Sequence, residues 1–172
     1  MISGYATLAF AEIYPEITLG LCLFHSHALA DTEEKKENRE REIELVKAGK
    51  KIQIIDVNIP KAFADDNLEK FAEDVEKARQ IAIKTNDHGI ICALQGMKER
   101  PDRQRVLREL TVPVLIVAGK KDNYIPFNLA QEHYELSKNI DMLILENSGH
   151  MGFVEEKHEA LEGVKYFLEK IY

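Results

Sequence analysis

Apolar positions recur with helical spacing in some stretches of the chain and form short unbroken runs in others. Over residues 4–14, GYATLAFAEIY, Tyr5, Leu8, Ala9 and Ala11 share one helical face. Pro15 closes the pattern, which predicts an amphipathic helix. Residues 18–24, TLGLCLF, are an apolar run of strand length, the pattern of a strand covered on both faces. From Asp31 to Glu44 the chain is almost wholly charged, with opposite charges three and four apart. A cap at Asp31 or Thr32 completes the signature of a solvated helix. Residues 52–57, IQIIDV, fit either helix or strand, and Pro60 is expected to break the chain. Leu68, Phe71, Ala72, Val75, Ala78, Ile81 and Ala82 make one stripe and predict a long helix over 66–84. Further helices are expected over 88–98 and 102–110. The runs 112–120 and 141–147 then read as buried strands, and 127–138 and 155–171 as helices.

Strand and helix alternating in this way, with continuous apolar strands, predict a parallel sheet covered by helices, an α/β fold. The sheet is expected to hold three strands. The helical block over 31–110 is an insertion between two of them. The chain therefore divides into a first helix and strand (1–30), a helical insertion (31–110) and a closing strand–helix part (111–172), together one structural unit.

Composition narrows the function. The 172 residues carry a net charge of −7. No Lys/Arg cluster stands clear of acidic neighbours, so nucleic acid and anionic membrane are not expected partners. No apolar run approaches the ~20 residues of a membrane helix, and no secretory segment is visible, so a cytoplasmic place is expected. Cys22 and Cys92 both have apolar neighbours and are expected as buried free thiols. His88, His133 and His158 fall in polar helical stretches and are expected at the surface.

Two residues stand where chemistry is expected. Asp122 follows the run VLIVAG and His150 follows LILENSG, each at the C-terminal end of a predicted strand. Open parallel sheets bind ligands outside those ends. An acid that orients a histidine, which in turn takes a proton from a nucleophile, is a triad arrangement, and acid before histidine is one of its chain orders. Glycines on both sides of His150 suit a tight loop that aims the imidazole inward. His25-x-His27 presents two imidazoles, but no third ligand is evident, so no metal is expected.

The segments VPVLIVAGKKDNYIP and SGHMGFVEE resemble the acid loop and the histidine loop of the α/β-hydrolase family, and GYATLAFAEIYPE is similar to the helix that follows that family's nucleophile elbow. The insertion, with GIICALQGMKERPDR, resembles the helical cap of small esterase-like members. The resemblance covers nearly the whole chain. It implies a partial α/β-hydrolase fold, with His150 as general base and Asp122 as its acid. It also implies hydrolysis of a small-molecule ester or similar acyl bond by a Ser-His-Asp route without a cofactor. Substrate contact is expected from His25, Ser26 and His27 on the loop after the first strand and from Met97. Phe63, Phe71, Ile91, Leu94 and Met97 are open to two uses, lining an acyl pocket or packing the cap.

The nucleophile is where the pattern departs from the family. Aligning Gly4-Tyr5 with the family's Gly-Tyr places Met1 on the elbow serine and leaves the preceding strands, with half of the oxyanion hole, outside this sequence. Ser3 falls inside the first helical turn and Ser26 lacks the Gly-x-Ser-x-Gly turn, so neither is expected to replace it. This chain alone is therefore expected to be inactive, and to self-associate or pair with the N-terminal part of the fold. The alternative reading is a non-catalytic, hydrolase-like binding or assembly module.

Overall fold

One parallel sheet organises the protein. Its strands are β1 (Leu21–Phe24), β2 (Val114–Gly119) and β3 (Ile140–Leu145), in the order β1-β2-β3. Val117 pairs with Phe24 on one side and Leu143 on the other. The computed structural model describes residues 2–171, with Ile2 described by its backbone only. Met1, the position aligned with the family's serine, lies outside them.

Side-chain alternation along β2 divides the core between two faces. Val114, Ile116 and Ala118 join Leu8, Leu21, Leu23 and Leu107 on one face. That face is covered by α1 (Ile2–Ile13), α6 (Gln104–Glu109) and α7 (Phe127–Tyr134). Leu115 and Val117 join Leu145, Ala160 and Phe167 on the other, beneath α9 (Lys157–Glu169). Every residue of β2 is buried, as its apolar run predicts. The flanking strands differ from the expectation of full burial, because each has one paired neighbour. In β3, Asp141 and Ile144 are exposed, and in β1 only Leu21 and Leu23 are fully buried.

The segment between β1 and β2 is helical, as expected, with altered boundaries. The charged stretch forms α2 (Glu33–Lys47), whose first turn is capped by the Thr32 hydroxyl, accepting from Lys35 N–H at 3.3 Å. The ambiguous IQIIDV lies in α3 (Lys51–Lys61). Pro60 sits in the last turn of α3, where the chain tightens into shorter-range bonds such as Phe63 N–H to Pro60 O, 3.0 Å. The single helix expected over 66–84 is instead a short 3-10 turn, Asp65–Asn67, followed by α4 (Ala72–Lys84). Asn67 explains the break. Its amide donates to Asn147 O at 2.7 Å and to Glu155 Oε1 at 2.8 Å, which ties this segment to the sheet end of the molecule. α5 (Asp87–Glu99) packs on α2, and α3 on α4.

The outer edge of β1 has no strand beside it among the described residues. Phe10, Ile17 and Leu19 are exposed in a cleft shared with Leu21 and Cys22. The closing element is a short helix, α8 (Gly152–Glu155), ahead of α9. None of the helices among the described residues is long and apolar enough to cross a membrane.

Candidate functional site

The three strands end side by side, and the residue after β1 and the loops after β2 and β3 bring His25, Asp122 and His150 together. The tips approach closely because Gly119 has no side chain. A β-carbon there would lie 2.2 Å from Gly149 O. Lys120 N–H then bonds Leu145 O at 2.9 Å, and Lys121 N–H bonds Ser148 O at 3.0 Å, which couples the acid loop to the histidine loop.

All four acceptor directions of Asp122 are used. Its Oδ1 accepts from the backbone N–H groups of Tyr124 at 2.7 Å and Ile125 at 3.0 Å. Its Oδ2 lies 2.7 Å from His150 Nδ1 and 3.3 Å from His25 Nδ1. Burial alone would raise this carboxyl. The hydrogen bonds from His150, His25 and the backbone outweigh burial and hold it well below the ordinary carboxylate range. Tyr124 stands edge-on to the His150 ring, 5.4 Å between centroids. Its hydroxyl donates to Asn58 O on α3 at 2.8 Å, and burial pushes the phenol up to about 12.

Glu155 locks the histidine loop in place. It is buried, and it accepts from Ala64 N–H and Asn67 Nδ2 at Oε1, both at 2.8 Å, and from Gly149 N–H at Oε2, 2.9 Å. His150 N–H donates to Ala62 O at 2.7 Å. Gly149 lies so close that a β-carbon would sit 2.5 Å from Ala64 N. The segment after α3 therefore forms a wall of the site. Asn123 adds a third tie, donating to Asp65 Oδ1 at 3.1 Å.

The residues expected to touch substrate are placed differently from one another. His25 is buried, with its ring on Asp122 rather than on an open loop surface. Ser26 is buried where a β-carbon on Gly4 would meet its Oγ at 2.1 Å. His27 is also buried; its Nδ1 accepts from Leu29 N–H at 3.2 Å, and its Nε2 lies 3.3 Å from Arg100 Nη2 and 3.4 Å from Tyr5 Oη. The His25 φ of 44° breaks the extended path, so the two imidazoles do not share a face. Met97 is half-buried and enters the hydrogen-bond network through its carbonyl, which accepts from Arg100 Nη1 at 2.8 Å. No hydrogen bond or ion pair joins His27 or Met97 to Asp122 or His150 among the described residues. The atoms that do converge, one each from His25, Asp122 and His150, lie within 4.8 Å of one another, close enough to be compared with a cation site.

Other expectations need correction. His133 is buried, not at the surface: its Nδ1–H donates to Leu129 O at 2.8 Å and its Nε2 accepts from Ala28 N–H at 3.0 Å. Cys22 is a half-buried thiol that burial pushes up to about 11, whereas Cys92 is exposed beside His88; both are free. His88 and His158 are exposed as expected. A buried charged cluster escaped the sequence reading. Arg100 donates to Leu29 O at 2.9 Å, pairs with Asp31 at 2.9 Å and lies 3.9 Å from the centre of the Tyr5 ring. Arg39 donates to the other Asp31 oxygen at 2.8 Å. The signal available was an acid at the start of a charged run, and it read as a helix cap.

No protein-family profile matches the chain. A 66-residue stretch is 41% identical to a proline iminopeptidase of Saccharolobus solfataricus, covering 38% of this chain and 21% of that protein. Over 113 residues the chain is 29% identical to the AB hydrolase superfamily protein YisY of Bacillus subtilis, covering 63% of this chain and 42% of that one. Among solved structures, a thermophilic esterase from Thermogutta terrifontis superposes with a TM-score of 0.92 at 28% identity, over 98% of this chain and 62% of the esterase. The chain has a partial α/β-hydrolase fold. Its relatives are α/β hydrolases, and it spans only part of their length.

Two measurements test the architecture of the site. Burial holds His25, His27 and His133 below the ordinary imidazole value, His27 at about 3. The unfolded chain therefore binds protons that the folded chain refuses. Their contribution is full above the unfolded imidazole value of about 6.5 and is lost as pH falls from there towards 3. Urea midpoints are expected to fall between pH 7 and pH 5, and His27→Gln to flatten that slope; a midpoint flat over the window would contradict the assignment. Glu155→Ala strands the buried Ala64 and Gly149 N–H groups, each at a cost of about 1–3 kcal/mol. Chemical denaturation should show that loss, a smaller one for Glu155→Gln, which keeps an acceptor oxygen, and faster amide exchange at residues 64 and 149.

Proposed function

We propose that Asp122 and His150 are the acid and base of a site that hydrolyses an ester or similar acyl bond, in a form of the protein that also carries a nucleophilic serine. The observation that carries this reading is the 2.7 Å bond between His150 Nδ1 and Asp122 Oδ2 across neighbouring strand tips. With Nδ1–H committed to Asp122, His150 Nε2 keeps its lone pair. It takes the hydroxyl proton as the serine attacks the substrate carbonyl, then delivers that proton to the departing alcohol. A water repeats the cycle on the acyl-enzyme. Asp122, held ionised by its other donors, stabilises the imidazolium formed at each step. The relatives named as esterase and α/β hydrolase agree with this chemistry. In this reading the helices over 31–110 act as a cap that shapes the acyl-binding space, the substrate is a small molecule, and the protein works in the cytoplasm.

The second reading, a non-catalytic binding or assembly module, has one observation in its favour. No hydrogen bond joins Ser3, Ser137 or Ser148 to His150 among the described residues. Ser148 is buried, donating to Glu156 at 2.6 Å, and Ser3 lies exposed on α1. We therefore expect the 172-residue chain alone to hydrolyse p-nitrophenyl esters no faster than buffer, since losing even one oxyanion donor lowers turnover by roughly 10²–10³. Labelling of a serine by a fluorophosphonate, located by mass spectrometry, would show that a nucleophile is present after all. The open edge of β1 generates a further expectation. Leu21, Cys22, Leu23 and Phe24 bring no charge and no proline to discourage pairing. The isolated chain should self-associate through this edge, or pair with a segment that supplies the neighbouring strand, by the simplest route as a closed two-fold dimer. Light scattering after size exclusion at micromolar concentration decides it; a clean peak at 19.7 kDa would refute self-association.

A further inference from the structure

His25 has more built around it than a loop residue needs. Its φ of 44° is the one positive value among described residues other than glycine, a conformation disfavoured for any residue with a β-carbon. That turn swings the ring inward, to 3% exposure, instead of letting it continue along the strand. Two glycines make the slot. A β-carbon on Gly152 would lie 2.4 Å from His25 Nε2, and one on Gly119 3.0 Å from its Cε1. Nδ1 lies 3.3 Å from Asp122 Oδ2, and Nε2 is buried with no hydrogen-bond partner among the described residues.

The unpartnered Nε2 fixes the tautomer. With the proton on Nε2, a buried donor would go unsatisfied and the bare Nδ1 would face a carboxylate oxygen. With the proton on Nδ1, the carboxylate accepts it and only a lone pair is left against Gly152. The same reasoning counts against a metal held at His25 Nδ1. Metal-bound imidazoles donate their other N–H to an acceptor, and here none is in place. The charged or titratable groups that act on His25 are Asp122, His150 and Glu155. Burial opposes their net pull and keeps the ring below its ordinary value.

We propose that His25 is a positioning residue for the Asp122–His150 pair, its Nδ1–H filling the remaining lone pair of Oδ2. With Oδ1 held by two backbone N–H groups, this second imidazole leaves the carboxylate no free acceptor and no room to rotate. His150 then keeps its own Nδ1–H turned to Asp122 while Nε2 gains and loses a proton. The catalytic meaning of His25 rests on the function proposed above; its hydrogen bond does not.

The test uses the ¹⁵N-labelled 172-residue chain and long-range imidazole NMR between pH 5.5 and 8, without any need for turnover. Wild type should show neutral His25 as the Nδ1–H tautomer, and a sharp downfield Nδ1–H resonance from His150. His25→Asn places an amide N–H near the Nδ1 position and tolerates positive φ, so it should preserve the His150 resonance. His25→Phe keeps an apolar ring but no donor, so the His150 proton should broaden and exchange at least about 3-fold faster. An Nε2–H tautomer at His25 overturns the proposal, as does an unchanged His150 signal in a folded His25→Phe chain. Stoichiometric Zn²⁺ that moves the His25 and His150 nitrogens together would replace it with a metal site. If His25→Phe does not fold, the wild-type tautomer and the His25→Asn signal decide. Absence of the His150 Nδ1–H resonance from wild type itself would instead remove the observation that carries the hydrolase reading, and serine labelling of the chain tests that reading separately.

Discussion

The parallel register of three short strands is the constraint on which the site depends. Val117 sits between Phe24, where β1 ends, and Leu143, and β2 and β3 run two residues further to end level at Gly119 and Leu145. Parallel strands all point the same way, so whatever follows each of them emerges at one edge. Here that edge receives an imidazole, a carboxylate and a second imidazole. The approach is close enough that Gly119 tolerates no side chain. A slip of one residue in β2 would turn Val114, Ile116 and Ala118 away from their core and lift Asp122 out of reach of both histidines.

Around that edge, polar groups hold the helical segment to the sheet. Glu155 gathers three N–H donors from two loops, and Tyr124 reaches Asn58 on α3. At the other end of the segment, Arg100 spends its planar fork on two carbonyls and Asp31, with the Tyr5 ring against its face. A lysine has one point of charge and could not make that set of contacts. Buried ion pairs of this kind add little net stability, since desolvation offsets the attraction. What they provide is a single allowed arrangement.

Carboxylate chemistry ties the two levels together. Asp122 and Glu155 are both acids, yet their surroundings give them different work. Asp122 receives two ring nitrogens and two backbone N–H groups, which hold it ionised despite its burial. Glu155 receives only fixed backbone and amide donors and serves as a clamp. The open edge of β1 stands apart from this order. No strand lies beside it among the described residues.

The sequence by itself determined the alternation of strands and helices, the three-stranded sheet and the two strand-end residues that meet, Asp122 and His150. These are local patterns: apolar runs, helical stripes and turn residues next to a carboxylate or an imidazole. Tertiary structure alone decided the rest. It placed His25 beneath Asp122, because a positive φ and two glycines distant in sequence make that slot. It buried His133, whose polar neighbours in sequence suggested the surface, and Asp31, which read as a helix cap, by supplying partners from residues 28 and 100. It also broke the helix expected over 66–84, where Asn67 is drawn to Asn147 and Glu155. In each case the deciding partner lies far along the chain, and hydrophobic periodicity, which reads only a residue's near neighbours, carries no record of it.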